Sequence, residues 1–190
     1  MDEKQEQTVK ELADALSSVV YKESLYWEKY SGLGTWQFWA VLAILVIPLI
    51  VLALAMDRTK AFRLGFYGFA IHIIAFYSDL YATTHKLWEY PFRATPFPSM
   101  SFSTEASLIP VAYMLVYQWT INRRKNYYLY LLFLSAGFTF VVKPLLGAAD
   151  LFWLYKTEYW QLLPLYYAGG LAAKWVADLF HWAERGARVS

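Results

Sequence analysis

Residues 36–56 read Trp36-Gln37-Phe38-Trp39-Ala40-Val41-Leu42-Ala43-Ile44-Leu45-Val46-Ile47-Pro48-Leu49-Ile50-Val51-Leu52-Ala53-Leu54-Ala55-Met56, a run without a single charge. A helix needs about 20 mostly apolar residues to cross the hydrocarbon core of a bilayer, and this run supplies them unaided. Residues 64–78 likewise lack Asp, Glu, Lys and Arg, and lengthen into a second span at about 62–82. Further apolar stretches place spans at about 106–122, 126–147 and 159–182. All are continuous rather than alternating, which argues against a β-barrel. The expected fold is therefore all-α, a polytopic transmembrane bundle of about five spans over 36–182. Residues 1–35 form an N-terminal amphipathic segment and 183–190 a short tail.

Composition agrees: 58% of the chain is hydrophobic and 20% aromatic, more apolar than a soluble domain needs. Rings collect at the span ends (Trp36, Trp39, Trp88, Tyr90, Trp119, Trp153, Trp160, Trp182), where amphipathic aromatics favour the headgroup level. A net charge of +2 gives no case for a nucleic-acid partner. With no cysteine, disulfides, thiolate zinc sites and cysteine nucleophiles are excluded. No internal repeat is visible, which weighs against transporters built by duplication. The first 35 residues contain no apolar signal core, so insertion is expected through the internal helices.

Orientation follows from the loops. Arg58, Lys60 and Arg63, then Arg123, Arg124 and Lys125, then Arg185 and Arg188 fall on one side. Such clusters mark the cytoplasmic side, which puts the N-terminus outside and the C-terminus inside a cell membrane. In the N-terminal segment, Val9, Leu12, Leu16, Val19 and Val20 recur at helical spacing, as in a short helix lying on a membrane surface. The loop 85–105, with Pro91, Pro96, Pro98, Phe92, Phe97 and Phe102, is expected to pack as a cap over the outer end.

The informative residues are those that lipid rejects. Ionisable groups inside a span face the bundle interior and pair there. Following the chain up and down places Asp79, Glu105, Lys143 and Asp150 near one end of the bundle. His72 lies two turns from Asp79 on the same helical face, with Phe76 between them. A direct Lys143–Asp79 or Lys143–Glu105 pair would fix helix register, and Lys143, close to a helix end, could instead snorkel outward. Lys143-Pro144, Pro110 and Pro164 mark kinks, which open cavities between helices. The expected ligand-binding set is His72, Phe76, Asp79, Glu105, Lys143 and Asp150, with Asp79 and Glu105 as candidate acids. Lys174, Asp178 and His181 form a separate stripe, read as an interfacial ladder. Three scattered histidines make a metal site unlooked for, and the His85/Glu89 spacing reads as a polar pair at a loop edge. No phosphate loop, dinucleotide glycine pattern or HExxH pair is present, and no cofactor is implied.

Taken as a set, Gly34-Thr35-Trp36-Gln37-Phe38-Trp39, Trp88-Glu89-Tyr90-Pro91, Ile109-Pro110-Val111 through Tyr117-Gln118-Trp119, and Lys143-Pro144 resemble a family of small, uncharacterised multi-helix integral membrane proteins of endospore-forming bacteria. The resemblance covers nearly the whole chain after the N-terminal segment. It implies location and architecture and brings no activity.

Three functions fit these residues best, while sparse charges and the absence of repeats weigh against a fourth, an ion or proton conductor. The first is a membrane protein whose polar and aromatic pocket binds a lipophilic or amphiphilic small molecule. The second is an intramembrane acid–base enzyme of cyclase or isomerase type, acting on a lipid or isoprenoid through Asp79 or Glu105. The third is a structural or assembly subunit, with a protein partner or a second copy, in which the charges only hold helices together.

Overall fold

The computed structural model describes residues 2–96 and 101–187, the last three without side-chain detail. It is all-α apart from one two-residue strand pair. Helices α1 (Glu3–Tyr30), α2 (Trp36–Ala55), α3 (Ala61–Thr84), α4 (Ile109–Asn122), α5 (Tyr127–Gly137), α6 (Lys143–Ala148) and α7 (Tyr159–Ala187) follow in order. A strand β1 (Trp88–Glu89) after α3 pairs antiparallel with β2 (Trp153–Leu154) after α6, setting Trp88 opposite Leu154.

Among the described residues, three helical stretches are long and apolar enough to cross a membrane: 36–55, 58–84 and 127–148. They match three of the spans expected from sequence to within a few residues. The other two stretches are helical but do not combine length with hydropathy. As an α-helix α4 has only 14 residues. The 29 residues of α7 include Lys174 and Asp178.

Helix ends follow local chemistry. Asp2 accepts from Gln5 N at 2.7 Å to cap α1, and Thr35 caps α2 through Phe38 N. At the far end of α2, Gln118 accepts from Asp57 N at 2.7 Å and donates to Ala55 O at 2.9 Å, so α4 closes the α2–α3 turn. Asp57 there receives Thr59 and Lys60, whose contacts hold its carboxyl well below the usual carboxylate range.

Two prolines reshape the helices that bear the site. Pro110 and Pro144 cannot donate to the preceding turn, and their rings press on its carbonyls. Each is preceded by a widened π turn, Thr104–Leu108 and Phe138–Val142, in which Ile109 N reaches Thr104 O and Lys143 N reaches Phe138 O. Such turns absorb the proline and rotate the side chains that follow.

The core is built around α3, which packs on α4 and α7, while α5 packs on the same two helices. Tyr67, Ile71, Tyr113, Tyr117 and Leu131 are buried there. The buried phenols are satisfied: Tyr67 and Tyr127 share a hydrogen bond of 2.7 Å, and the Tyr127 hydroxyl donates to Gly170 O at 2.9 Å.

The N-terminal segment forms a longer helix than expected and stands off the bundle. None of its residues is buried, and Val9, Leu12, Leu16, Val19 and Val20 are all exposed. It is fastened at its end by Arg93. The Arg93 guanidinium meets Glu23 and Glu89 at 3.0 Å each, its backbone N–H donates to Ser31 Oγ, and its carbonyl accepts from Trp27 Nε1 at 2.9 Å. The 85–105 loop does pack: Trp88, Tyr90, Pro91 and Arg93 are buried, whereas Phe102 is exposed. Phe97 and Pro98 lie outside the described residues, as does Arg188.

Gly170 sits where α7 meets α4 and α5. A Cβ there would stand 2.4 Å from Leu131 Cδ1 and 3.0 Å from Tyr113 Cε1, both fully enclosed, whereas a Cβ on Gly169 meets only Ile74 at 3.4 Å. Gly170→Val should therefore cost about 1–3 kcal/mol, as overpacked cores do, while Gly169→Ala stays near wild type. Thermal denaturation in detergent separates the two, and equal melting temperatures would mean that α7 does not seat as closely as described.

Candidate functional site

Three ionisable residues from three helical elements converge beneath the β1–β2 pair. Asp79 comes from the last turns of α3. Glu105 lies inside the first π turn, and Lys143 follows directly on the second. Each π turn therefore sets the face on which its charged residue points inward. Asp79 and Glu105 are each 3% exposed and Lys143 2%.

The centre of the arrangement is a phenol from the loop. Asp79 Oδ1 accepts from Trp88 Nε1 at 2.7 Å and from the Tyr90 hydroxyl at 2.8 Å, and Oδ2 accepts from Ser101 N at 3.4 Å. The Tyr90 oxygen accepts in turn from Lys143 Nζ at 2.9 Å. Burial, reinforced by the Asp79 and Glu105 carboxyls, pushes the Tyr90 phenol well above its ordinary range. It stays a hydroxyl, able to donate and accept at once. The Lys143 ammonium is further held by ring faces, 3.9 Å from the centre of Phe152 and 4.8 Å from that of Tyr90.

Glu105 is different. Its backbone carbonyl contacts His72 Nδ1 at 2.9 Å, but its carboxyl receives no hydrogen bond among the described residues. It borders a cavity of about 50 Å³, together with Asp79, Tyr90, Tyr113, Lys143 and Phe152. That volume holds a few waters or one small polar group. Two carboxyls and one ammonium therefore face a small chamber with aromatic walls, and among the described residues only the Asp79 carboxyl accepts hydrogen bonds from the protein. Such a site can bind a hydrogen-bond donor or exchange a proton with a bound molecule.

The sequence-expected set divides here. Asp79, Glu105 and Lys143 line the cavity. His72 supports it from behind through the Glu105 backbone. Phe76 packs near His72 and Tyr77, outside the cavity lining. Asp150 is exposed, in a left-handed turn with φ 57°, and its side chain accepts from Trp153 Nε1 at 3.4 Å. It belongs to the loop and not to the cavity. Lys143 does not snorkel: the second π turn aims it inward, and Tyr90 and Phe152 enclose it. Nor does it pair directly with either acid, since the Tyr90 hydroxyl lies between it and Asp79.

Elsewhere, Asp178 gathers Lys174, Arg63 at 3.2 Å and the Tyr117 hydroxyl at 3.4 Å, tying α3, α4 and α7 at the opposite end. His181 faces Glu184 at 3.8 Å. His85 contacts the Tyr81 carbonyl at 2.8 Å, while Glu89 is taken by Arg93, so the two do not act together.

Trp88, Tyr90 and Phe152 also line the cavity and were not among the residues expected from sequence, Trp88 and Tyr90 having read as interfacial rings. One signal was present. In an extended segment, positions two apart share a face, so Trp88 and Tyr90 can reach the same acceptor. Comparison with family models, curated proteins and solved structures finds no match to this chain.

The shared hydroxyl sets an energetic expectation. Lys143→Met leaves two buried carboxyls without a cation, and Asp79→Asn leaves the ammonium without its relayed partner. Each should cost about 3–5 kcal/mol, the usual range for breaking a buried pair. Chemical denaturation of both variants, alone and with Tyr90→Phe, checks this. Strictly additive losses in the double variants would show that the three residues do not act as a unit.

Proposed function

We propose that this chain is an integral membrane protein of five spans, α2, α3, α4, α5–α6 and α7, which binds a lipophilic or amphiphilic small molecule in the cavity beneath Tyr90. The observation that carries this reading is the Glu105 carboxyl, which borders the open volume and has no hydrogen-bond partner among the described residues. A buried polar group left unsatisfied costs about 1–3 kcal/mol, so a fold that keeps one supports a role in meeting something from outside the chain. The aromatic walls and few convergent polar groups fit a small-molecule site.

The five-span reading adds α4 with its π turn, and α7, to the three long apolar helices. Both pack on α3, and their charged residues point into the bundle or lie near its ends. The basic loops 58–63 and 123–125 support a cytoplasmic face at the end opposite Tyr90, with the N-terminus outside. The cavity then opens within the outer half of the bilayer, where lipids and amphiphiles are concentrated. The resemblance to uncharacterised membrane proteins of endospore formers is compatible with this placement and supplies no ligand.

One feature favours a second reading, acid–base catalysis on a bound lipid or isoprenoid. Lys143, Tyr90 and Asp79 form an unbroken hydrogen-bonded line, along which a proton could be shared while Glu105 faces the ligand.

Native mass spectrometry of the detergent-purified chain is the deciding experiment. The expected outcome is a small molecule of reproducible mass that is retained by wild type and lost from Glu105→Gln and Lys143→Met. Its conversion to a second mass during incubation would select the catalytic reading. A chain carrying only bulk phospholipid, or a stoichiometric protein partner, would overturn both.

A further inference from the structure

The wall of the cavity is thin on one side. Between α3 and α7 it is formed by Ile74, Ala75 and Ser78 with Leu165 and Gly169, all five partly or fully exposed, and Ser78 and Leu165 also border the groove outside. Small residues on both helices keep this seam shallow. Directly outside it runs a groove of about 500 Å³ that shares Ser78, Trp88, Leu162 and Leu165 with the cavity lining. The outer reach of the groove is amphipathic: Tyr77 and Tyr81 expose their rings, and Thr157 and Gln161 stand at the loop end.

The two volumes differ in size and chemistry. The groove has room for an apolar chain. The cavity admits only a small polar group. Its hydrogen bonding is also unbalanced, since Asp79 takes three donors from the protein while Glu105 takes none among the described residues. A head group that donates hydrogen bonds meets this demand. A carboxylate head would bring only further acceptors to a chamber that already holds two carboxyls and one ammonium.

We infer that the ligand of this site is a single-chain amphiphile with a small hydrogen-bond-donating head, an amine or an alcohol, which enters sideways between α3 and α7. Its tail lies in the groove along Tyr77, Tyr81 and Leu165, and its head passes Ser78 to reach Glu105. This rests on the binding reading above and narrows it to one ligand class and one route.

The test uses the full-length protein in mild detergent, titrated with hexadecylamine, hexadecanol and hexadecanoate, with occupancy read by native mass spectrometry. The three probes share a tail and differ in the head alone. The amine and the alcohol should each bind about tenfold or more tightly than the carboxylate, the scale of one well-placed charged hydrogen bond. Glu105→Gln should erase that preference, and Ser78→Trp, which fills the junction of groove and cavity, should weaken the amine and the alcohol together. Ala75→Phe serves as a second block at the seam should the tryptophan variant fail to fold. Preference for hexadecanoate overturns the head-group assignment. Unchanged binding in both seam variants overturns the lateral route. Those results leave the binding reading standing if a copurified molecule is still lost from Glu105→Gln. Absence of any bound molecule, probe or copurified, overturns the inference and the reading together.

Discussion

A single hydroxyl, that of Tyr90, holds the upper end of this molecule together. It stands between a buried ammonium and a buried carboxylate and satisfies both, donating to Asp79 and accepting from Lys143. Bringing those two charges out of water is costly, and a direct contact between them would satisfy fewer lone pairs and protons than the relay does. The consequence is architectural. Because Tyr90 sits on a loop, α3 and α6 are joined through the loop and not through their own side chains. The β1–β2 pairing, the burial of Trp88 and Phe152, and the closure of the cavity all follow from seating that ring.

The loop is braced from the other side by Arg93. Its guanidinium is shared by Glu23 and Glu89, and its backbone is gripped by Ser31 and Trp27, so the end of α1 and the loop form one polar knot. Only Pro91 and Phe92 separate Arg93 from Tyr90, and Arg93 Nε donates to the Tyr90 carbonyl at 3.0 Å. A pull on α1 is therefore transmitted to the roof of the cavity through the ion pair and hydrogen bonds of Arg93. At the opposite end, Asp178 performs the corresponding task with Arg63, Lys174 and Tyr117. The bundle is pinned by charge at both ends and packed by aromatic rings between them.

Most of the helical architecture was legible from sequence because it depends on local properties, namely length, apolar continuity and the absence of charge. The helix over 36–55 and the paired ends near 84 and 148 needed nothing more. Asp79, Glu105 and Lys143 were legible for a related reason: a charge in an apolar run must turn inward, and counting turns gives its depth. What could not be read was rotation about the helix axis. A π turn inserts a fraction of a turn without leaving a sequence mark beyond the nearby proline, so the inward aim of Lys143 could not be told from an outward one. Asp150 and Phe76 failed in a similar way, being right in height and wrong in direction. Tyr90 was hidden among many loop aromatics, since composition accounts for rings at a membrane interface without asking what their hydroxyls touch.

The two widened turns before Pro110 and Pro144 also act as phase adjusters. Each holds one residue more than an ordinary helix would place between the same two levels. Removing one residue from 138–142 would restore regular winding yet swing everything beyond it by about 100°, the angle of one helical residue. Lys143 would leave Phe152 and Tyr90 for another face of the bundle, with the helix itself intact. The chain is thus far less tolerant of a change in residue count within these two short windows than of a change in residue type, so length is the property held fixed there.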